Sequence, residues 1–396
     1  MKILIVQEAD WEKGGVLQQH HLAERLQKKG HIIRVIDFEV KWKKENEIYS
    51  SRKISFISRT FSNQKICVIR PAFLRLPLLV YLSTLLSHTF EIYKQIIEFK
   101  PDIIVGFDVP NSYIALKLAK HYKIPFIYYI IDINYLFIPN AFLQPISKWI
   151  EKLTVQEADG VIAINEMLKS FYVNEINAPI TNTYIIRAGI DEKRFNTNIN
   201  SNIIRQKYGI KENENVLFFM GWLYTFSGLE EVATQLLNHQ FETNIKLLIV
   251  GKGELQEKLN LIKKKDIQNR IILVDWQPYE NIPSFIAAAD ICLLPAHNNE
   301  IMRNIVPIKL YEYMACGKPV ISTALQGVMK EFSQDNGIVF VSNTTKVLEK
   351  AVELITEKTV KLHGRKARKF VEKQSWDKVT IIFEQLLKNK IQNYDG

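Results

Sequence analysis

The sequence predicts an α/β protein made of two Rossmann-like domains. Three observations carry that expectation. Short apolar runs alternate with helical stretches along the whole chain, the pattern of strands joined by crossover helices. At 396 residues the chain exceeds what one hydrophobic core usually serves, so two domains are expected. A helix followed by Ala-Asp and a buried strand occurs at Ala158-Asp159-Gly160-Val161-Ile162-Ala163. It returns at Ala289-Asp290-Ile291-Cys292-Leu293-Leu294, as two similarly wound halves would give.

Hydrophobic residues make up 47% of the chain and charged residues 24%, which is ordinary for a globular protein. Cys67, Cys292 and Cys316 are far apart and form no CxxC pair. That points to a reducing, cytoplasmic setting and away from a disulfide framework or a zinc site. The 8 histidines contain no HExxH, and no metal site is signalled. No run of about 18 uncharged apolar residues appears, so no spanning helix is expected. The net charge of +10 suits phosphorylated substrates, anionic lipid or nucleic acid. The densest basic stretch is Lys41-Trp42-Lys43-Lys44 with Arg52-Lys53. No recognisable nucleic-acid module accompanies it, so nucleic acid is not expected as a partner.

In chain order, Lys2 to Val6 reads as the first strand rather than a signal segment. A loop ending in Gly14-Gly15 follows, then a helix stopped at Gly30 and a second strand from His31 to Asp37. This βαβ opening lacks GxGxxG, so no dinucleotide fingerprint is present. The paired glycines read as a ligand approach or as a plain turn. Ala72 to Phe99 reads as a mostly helical, buried core segment, with membrane-surface contact as the alternative because Arg75 can snorkel. Asp132 ends a buried strand at Ile124 to Ile131, and such strand ends face the crevice of an α/β fold. The aromatic stretch 134–150, with Tyr135, Phe137, Phe142 and Trp149, reads as interior packing or as a lid or lipid-touching surface. A polar, Asn- and Lys-rich segment from Asn196 to Asn215 reads as the interdomain linker. A second series of strands follows from Val216. The last helix is expected from Trp376 to about Lys390.

The most informative stretch is Asn304 to Thr323. Pro307 suits the first turn of a helix, Leu310 and Met314 share one face, and Lys309 and Glu312 share another. Gly317 then stops the helix and Val320-Ile321 starts a strand. A cation and a carboxylate thus sit together on a rigid element beside a sheet; the plainer alternative is an exposed ion pair.

Pro307-x-Lys309-Leu310-x-Glu312-Tyr313-Met314-Ala315-x-Gly317-Lys318-Pro319-Val320-Ile321 closely resembles the donor-binding signature of the family-4 retaining glycosyltransferases. The resemblance extends to Gly14-Gly15, Leu22-Ala23 and Gly30-His31, to Arg187 through Asp191 and Phe195, and to Val250-Gly251-x-Gly253. It implies the GT-B fold: two Rossmann-like domains facing a central cleft, with a C-terminal helix crossing back to the first. The expected divisions are 1–195 (acceptor side), 196–375 (nucleotide-sugar side) and 376–396 (returning helix). It implies a metal-independent, retaining transfer of a sugar from a nucleotide-sugar to a saccharide or lipid-linked saccharide. No cofactor is implied. Glu312 would bond the donor ribose and Lys309 would offset phosphate charge, with Gly14 and Gly15 against the diphosphate. The loop at Asp275 to Tyr279, including Gln277, resembles the base-reading loop. Asp132 lies near the acceptor site and is the acid/base candidate.

The chain also departs from the family. Its Gly-Arg-Leu…Lys-Gly pattern would place two diphosphate-holding cations at Trp222 and Ser227, after Gly221. Arg187, Lys252 and Arg303 are the cations expected to compensate. Asn304 stands where the family carries a sugar-contacting Glu. These departures keep two other readings open, a nucleotide-sugar epimerase and a catalytically silent GT-B subunit. The basic charge and the apolar stretches point to a cell-envelope acceptor and an anionic membrane surface, placing the chain at the inner face of the membrane.

Overall fold

The computed structural model describes residues 1–40, 47–61, 63–77, 79–138, 142–238, 244–333 and 335–394. The basic run at Lys41-Trp42-Lys43-Lys44 lies outside the described residues. The chain divides into two compact units, 1–187 with 376–396, and 188–375. The division falls between Arg187 and Ala188, upstream of the boundary expected at 195.

The strands of the first unit are β1 (Lys2–Val6), β2 (Ile32–Ile36), β3 (Tyr49–Ser50), β4 (Lys53–Ile57), β5 (Ile66–Arg70), β6 (Phe73–Leu74), β7 (Ile103–Gly106), β8 (Phe126–Ile130), β9 (Gly160–Ala163) and β10 (Thr183–Ile185). Its helices are α1 (Gln18–Lys28), α2 (Leu79–Phe99), α3 (Pro110–His121), α4 (Gln144–Glu157) and α5 (Glu166–Glu175). Eight strands form one sheet in the order β10-β9-β8-β7-β1-β2-β5-β4. Only the β4–β5 pairing is antiparallel. β7, β8 and β9 are buried at every position, which is why they read as unbroken apolar runs: helices cover both faces of a parallel sheet.

The helix expected from Ala72 begins later. Phe73 and Leu74 pair with Ser50 and Tyr49 in a small antiparallel ladder, and helix α2 starts only at Leu79. It is not the buried core helix that its apolar sequence suggests, because much of its apolar surface faces outward. The aromatic stretch divides as well: Tyr135 is buried, whereas Phe142 and Trp149 are exposed.

The second unit carries β11 (Asn215–Trp222), β12 (Ile245–Lys252), β13 (Ile271–Val274), β14 (Ile291–Leu294), β15 (Val320–Thr323) and β16 (Ile338–Val341). They form a fully parallel sheet in the order β13-β12-β11-β14-β15-β16. Its helices are α6 (Asn202–Lys207), α7 (Leu229–Asn238), α8 (Gln256–Lys264), α9 (Ile282–Ala288), α10 (Ile308–Ala315), α11 (Gln326–Glu331), α12 (Val347–Thr356) and α13 (Val360–Val371). Strand order reverses between β11 and β14, which makes their carboxyl ends a topological switch point. In the first unit the same reversal falls between β1 and β7.

The last helix, α14 (Trp376–Tyr394), packs on the first unit. Trp376 stacks on His21 with ring centroids 4.5 Å apart, and Arg25 bonds Asp377 at 3.0 Å. Glu384 accepts from Lys29 at 2.8 Å and meets the His31 ring at 3.1 Å.

Gly228 closes the turn between β11 and α7 in the left-handed region, at φ +74. A Cβ there would stand 2.0 Å from the Pro295 carbonyl oxygen, which belongs to the backbone and cannot swing away. Gly228→Ala is expected to lower the stability of the second unit by about 2 kcal/mol or more, from αL strain plus overlap. Urea denaturation of the variant against the parent chain measures this.

Candidate functional site

In the second unit the switch point is built around α10. Pro307, in extended conformation (φ −64, ψ 135), precedes the helix, which begins at Ile308, one residue later than a first-turn proline implies. Gly317, at φ +68, ends it. Its N–H bonds the Met314 carbonyl at 2.9 Å and the Lys318 N–H bonds Tyr313 at 3.1 Å, a Schellman closure. Lys318 Nζ then donates to the Ala287 and Ala289 carbonyls at 2.9 and 2.6 Å, capping the end of α9. Leu310 and Met314 are fully buried on the core side.

The position of α10 depends on Tyr313. β11 pairs with β14 only at Leu217 and Phe218, but continues beside β12 as far as Trp222. The Met220 N–H, past the last β14 pair, is donated to the buried Tyr313 hydroxyl at 2.9 Å. This bond holds α10 against the end of β11 and sets Lys309 and Glu312 at the crevice.

Lys309 Nζ lies over the Phe219 ring, 4.2 Å from its centroid. Burial lowers its pKa to about 8, with Glu312 opposing. A Cβ on Gly221 would stand 2.8 Å from this ammonium, so the glycine gives the cation room at the strand end. Glu312 is 6% exposed and accepts from the Tyr279 hydroxyl at 2.7 Å. Burial pushes its carboxyl up to about 7, against the Tyr279 bond and the Lys309 and Arg194 charges. Arg194 lies over the Tyr279 ring at 4.9 Å, and Phe195 packs beside that ring at 5.5 Å. The Lys309 and Glu312 pair is therefore a sheltered polar site and not an exposed surface ion pair.

The loops around it carry the other expected positions. Gly221 has φ +131 and Gly253 φ +159. A Cβ on Gly253 would come within 2.6 Å of the Leu223 backbone. The Leu223 N–H bonds Lys252 at 2.9 Å and its carbonyl accepts from Leu255 at 3.0 Å, which knits the two loops together. Ser227 is buried, and its hydroxyl has no hydrogen-bond partner. It lies just before α7, where helix N–H groups favour anions. Glu230 and Glu231 in the first turn are engaged by Lys258 (3.1 Å) and His297 (2.8 Å). Trp222 is 37% exposed and begins a run of rings, 6.3 Å from Tyr224, which stacks on Phe226 at 4.7 Å.

Of the three compensating cations, Lys252 is the register partner of Trp222 and lies over the Trp276 ring at 5.1 Å. Arg303 is exposed, and Arg187 belongs to the first unit, 3.4 Å from Glu166. Asn304 is buried in the turn before α10, against Gly327. Gln277 bonds the Asp275 carbonyl at 3.1 Å, two residues before Tyr279.

In the first unit, Asp132 stands two residues past β8, and burial followed by the Asp108 charge raises its pKa to about 6. Sequence reasoning missed its neighbours. Glu8 and Asp108 stand two residues past β1 and β7, the same offset from their strands as Asp132. The Glu8 N–H bonds the Asp108 carboxylate at 2.6 Å, and the Asn111 N–H bonds Glu8 at 2.9 Å. Burial raises both carboxyls. The shared offset past three buried strands is the signal that finds them. Tyr313 stands in the signature and Tyr279 ends the loop read from the sequence, but their bonds to Met220 and Glu312 were missed, as was Arg194, because these contacts are distant in sequence. The Gly14 N–H is donated to the Asp10 carbonyl at 3.0 Å and Arg59 bonds the Gly14 carbonyl at 2.6 Å, which holds the Gly14-Gly15 loop as a turn. Among the described residues, no group of 3 or more His, Cys, Asp or Glu is placed to hold a metal ion.

Comparison with known proteins bears on the family and the fold. The family model for Glycosyl transferases group 1 matches residues 200–374, and that for Glycosyltransferase Family 4 matches residues 13–194. The chain belongs to the family-4 glycosyltransferases. An uncharacterised glycosyltransferase of Methanocaldococcus jannaschii is 25% identical over 254 residues, 61% of this chain and 62% of the relative. The N-acetyl-alpha-D-glucosaminyl L-malate synthase of Bacillus anthracis is 26% identical over 225 residues, 56% of each chain. An Escherichia coli UDP-Gal:alpha-D-GlcNAc-diphosphoundecaprenol alpha-1,3-galactosyltransferase is 22% identical over 231 residues, 56% of this chain and 57% of the relative. The matched segments thus span less than two thirds of these relatives. Sucrose-phosphate synthase of Thermosynechococcus elongatus superposes with TM-score 0.77 at 16% identity over 98% of both chains. Anabaena HepE in complex with UDP-glucose superposes with TM-score 0.74 at 17% identity, over 98% of this chain and 100% of that one. Both show that this family-4 chain has the GT-B fold.

The Glu312 carboxyl makes a pH prediction. Its pKa rises from the ordinary 4.5 to about 7 on folding. The folded state therefore holds the proton more tightly, and the associated stability is present below pH 4.5 and lost as pH rises through about 7. Relative to Glu312→Gln, the parent chain should lose up to about 3 kcal/mol across that window. Paired denaturation curves at stepped pH give the difference; a flat difference means that Glu312 is not desolvated.

Proposed function

We propose that the chain is a retaining glycosyltransferase that moves a sugar from a nucleotide-sugar to a saccharide or lipid-linked saccharide acceptor. The observation that carries the reading is α10, which places Lys309 and Glu312 beside Gly221 at the switch point of the second unit. A carboxylate has about four lone-pair sites. Tyr279 occupies one, which leaves Glu312 able to accept from the two ribose hydroxyls. Lys309, close to the strand end, meets the charge that develops on the departing diphosphate. Glycine turns at Gly221 and Gly253 admit the phosphates to the backbone, and the unpartnered Ser227 hydroxyl adds a donor before α7. Lys252, beside Trp222, takes over part of the charge that the usual clamp supplies.

In the first unit, Asp132 is the group assigned to the acceptor hydroxyl. Its pKa near 6 places it close to neutral pH, where a general base works best. Burial and the Asp108 charge keep that pKa up, and Glu8 and Asp108 supply acceptors for sugar hydroxyls. Support for a lipid-linked or cell-envelope acceptor comes from the basic charge of the chain and from the acceptor named for the Escherichia coli relative. The reaction is placed at the inner face of the membrane, without a metal ion.

Isothermal titration with a panel of nucleoside diphosphates and their sugars tests the donor site. Glu312→Ala should weaken the preferred donor by roughly ten- to a hundredfold, the worth of hydrogen bonds to a charged group. Lys252→Ala should weaken it by about tenfold or less, the worth of a partly exposed charge. If no nucleotide binds the parent chain, Trp222, Ser227 and Asn304 have removed the site, and the silent-subunit reading holds. A sugar converted with no acceptor present identifies an epimerase. Asp132→Asn should lower kcat by about a hundredfold or more with donor affinity unchanged; full turnover removes Asp132 from the mechanism.

A further inference from the structure

Helix α2 leaves a row of apolar side chains on its outer face. Leu79, Leu82, Leu86, Phe90, Tyr93 and Ile97 are all exposed, and Leu86 and Phe90 reach 66% each. Their spacing of three and four residues draws one stripe along the helix, about 27 Å long. The inward side mixes Val80, Ile92, Ile96 and Phe99 with buried polar groups. His88 meets the Asp37 carbonyl at 3.2 Å, Glu91 takes both Arg52 nitrogens at 2.7 and 2.9 Å, and Gln95 accepts from Arg34 at 2.7 Å. Those bonds fix the helix about its axis, so the apolar stripe is held outward. From Leu79 to Ser87, Val80 is the one buried residue. No Asp, Glu, Lys or Arg occurs between Arg75 and Glu91.

The neighbouring helices add an excess of positive charge, Lys117, Lys120, Lys148 and Lys152 against Glu151 and Glu157. α2, α3 and α4 pack side by side. α3 presents Lys117 and Lys120. α4 presents Lys148 beside Trp149, 59% exposed, just after Phe142 at 87%. The carboxylates of these three helices are all engaged. Glu91 holds Arg52, Glu98 is 3.8 Å from Lys94, Glu157 binds Lys117 and Lys120, and Glu151 accepts from Tyr128 and Tyr172. An apolar stripe, exposed aromatic rings and a rim with more lysines than exposed carboxylates match the acyl, headgroup and phosphate levels of an anionic bilayer. Beside the first half of the stripe stand Tyr81, Ser83, Leu85 and Ser87, so the charge on α2 that could set the register of a second copy's helix is confined to Lys94 and Glu98 at the far half.

We infer that the outer face of α2, flanked by α3 and the start of α4, docks the protein in the plane of an anionic phospholipid surface. This deepens the membrane-side reading above by naming the surface that makes contact. Sedimentation with phosphatidylglycerol–phosphatidylcholine vesicles tests it. The parent chain should bind, and phosphatidylcholine alone should bind several-fold more weakly. Leu86→Glu with Phe90→Glu should lower binding by at least tenfold, with thermal melting and nucleotide titration unchanged. Vesicle binding needs no sugar donor, so its failure is separate from failure of the donor site. Equal binding by the double variant, or no preference for anionic lipid, overturns the inference. So does a parent dimer that the double variant makes monomeric while vesicle binding persists, since that assigns the face to a second copy.

Discussion

The hydrogen bond from the Met220 N–H to the Tyr313 hydroxyl is the contact on which the second unit's site depends. Where a parallel sheet reverses its winding, two neighbouring strands part and leave backbone donors without a ladder partner. An unmet buried N–H is costly, so something must reach it. Here the partner is a tyrosine from the helix that also carries Lys309 and Glu312. Satisfying the backbone and presenting the polar pair are one structural act. The Schellman closure at Gly317 and the Lys318 cap on α9 then fix the far end of that helix.

Burial shapes the chemistry of the pair. Removing water pushes Lys309 down and Glu312 up, so each becomes less charged at neutral pH than it would be on the surface. A diphosphate near the ammonium would favour its charged form, and ribose hydroxyls near the carboxylate would favour ionisation. Partial neutrality before binding lowers the cost of holding the two groups sheltered. Trp222 and Ser227 leave this region with less positive charge than the family pattern supplies. Lys252, the register partner of Trp222, and the Ser227 hydroxyl are polar groups within these loops.

The first unit repeats the logic with one sign of charge. Three carboxyls gather at the ends of β1, β7 and β8, and burial raises all three. In the helical layer formed by α2, α3 and α4, buried hydrogen bonds beside Ile92, Ile96 and Phe99 orient α2 from inside, and a second set of its apolar side chains is left outside. Burial of polar groups is tolerated there because each named group has a partner.

The sequence by itself determined the strand and helix alternation, the helix between Pro307 and its stop at Gly317, the family, and the placement of Lys309 and Glu312 on one face. Those follow from local rules: periodicity, proline and glycine conformations, and i,i+3 spacing. The late start of α2 was not legible, because residues 73–74 are drawn into a ladder with 49–50, a pairing distant in sequence. Nor was the orientation of α2, since an apolar helix reads as core until its inward polar partners are known. Tyr279, Arg194, Glu8 and Asp108 join their sites through strand order, which no local window contains. Only the tertiary structure decided which donors lacked partners at the switch point, which side chain supplied one, and which charges lost their water.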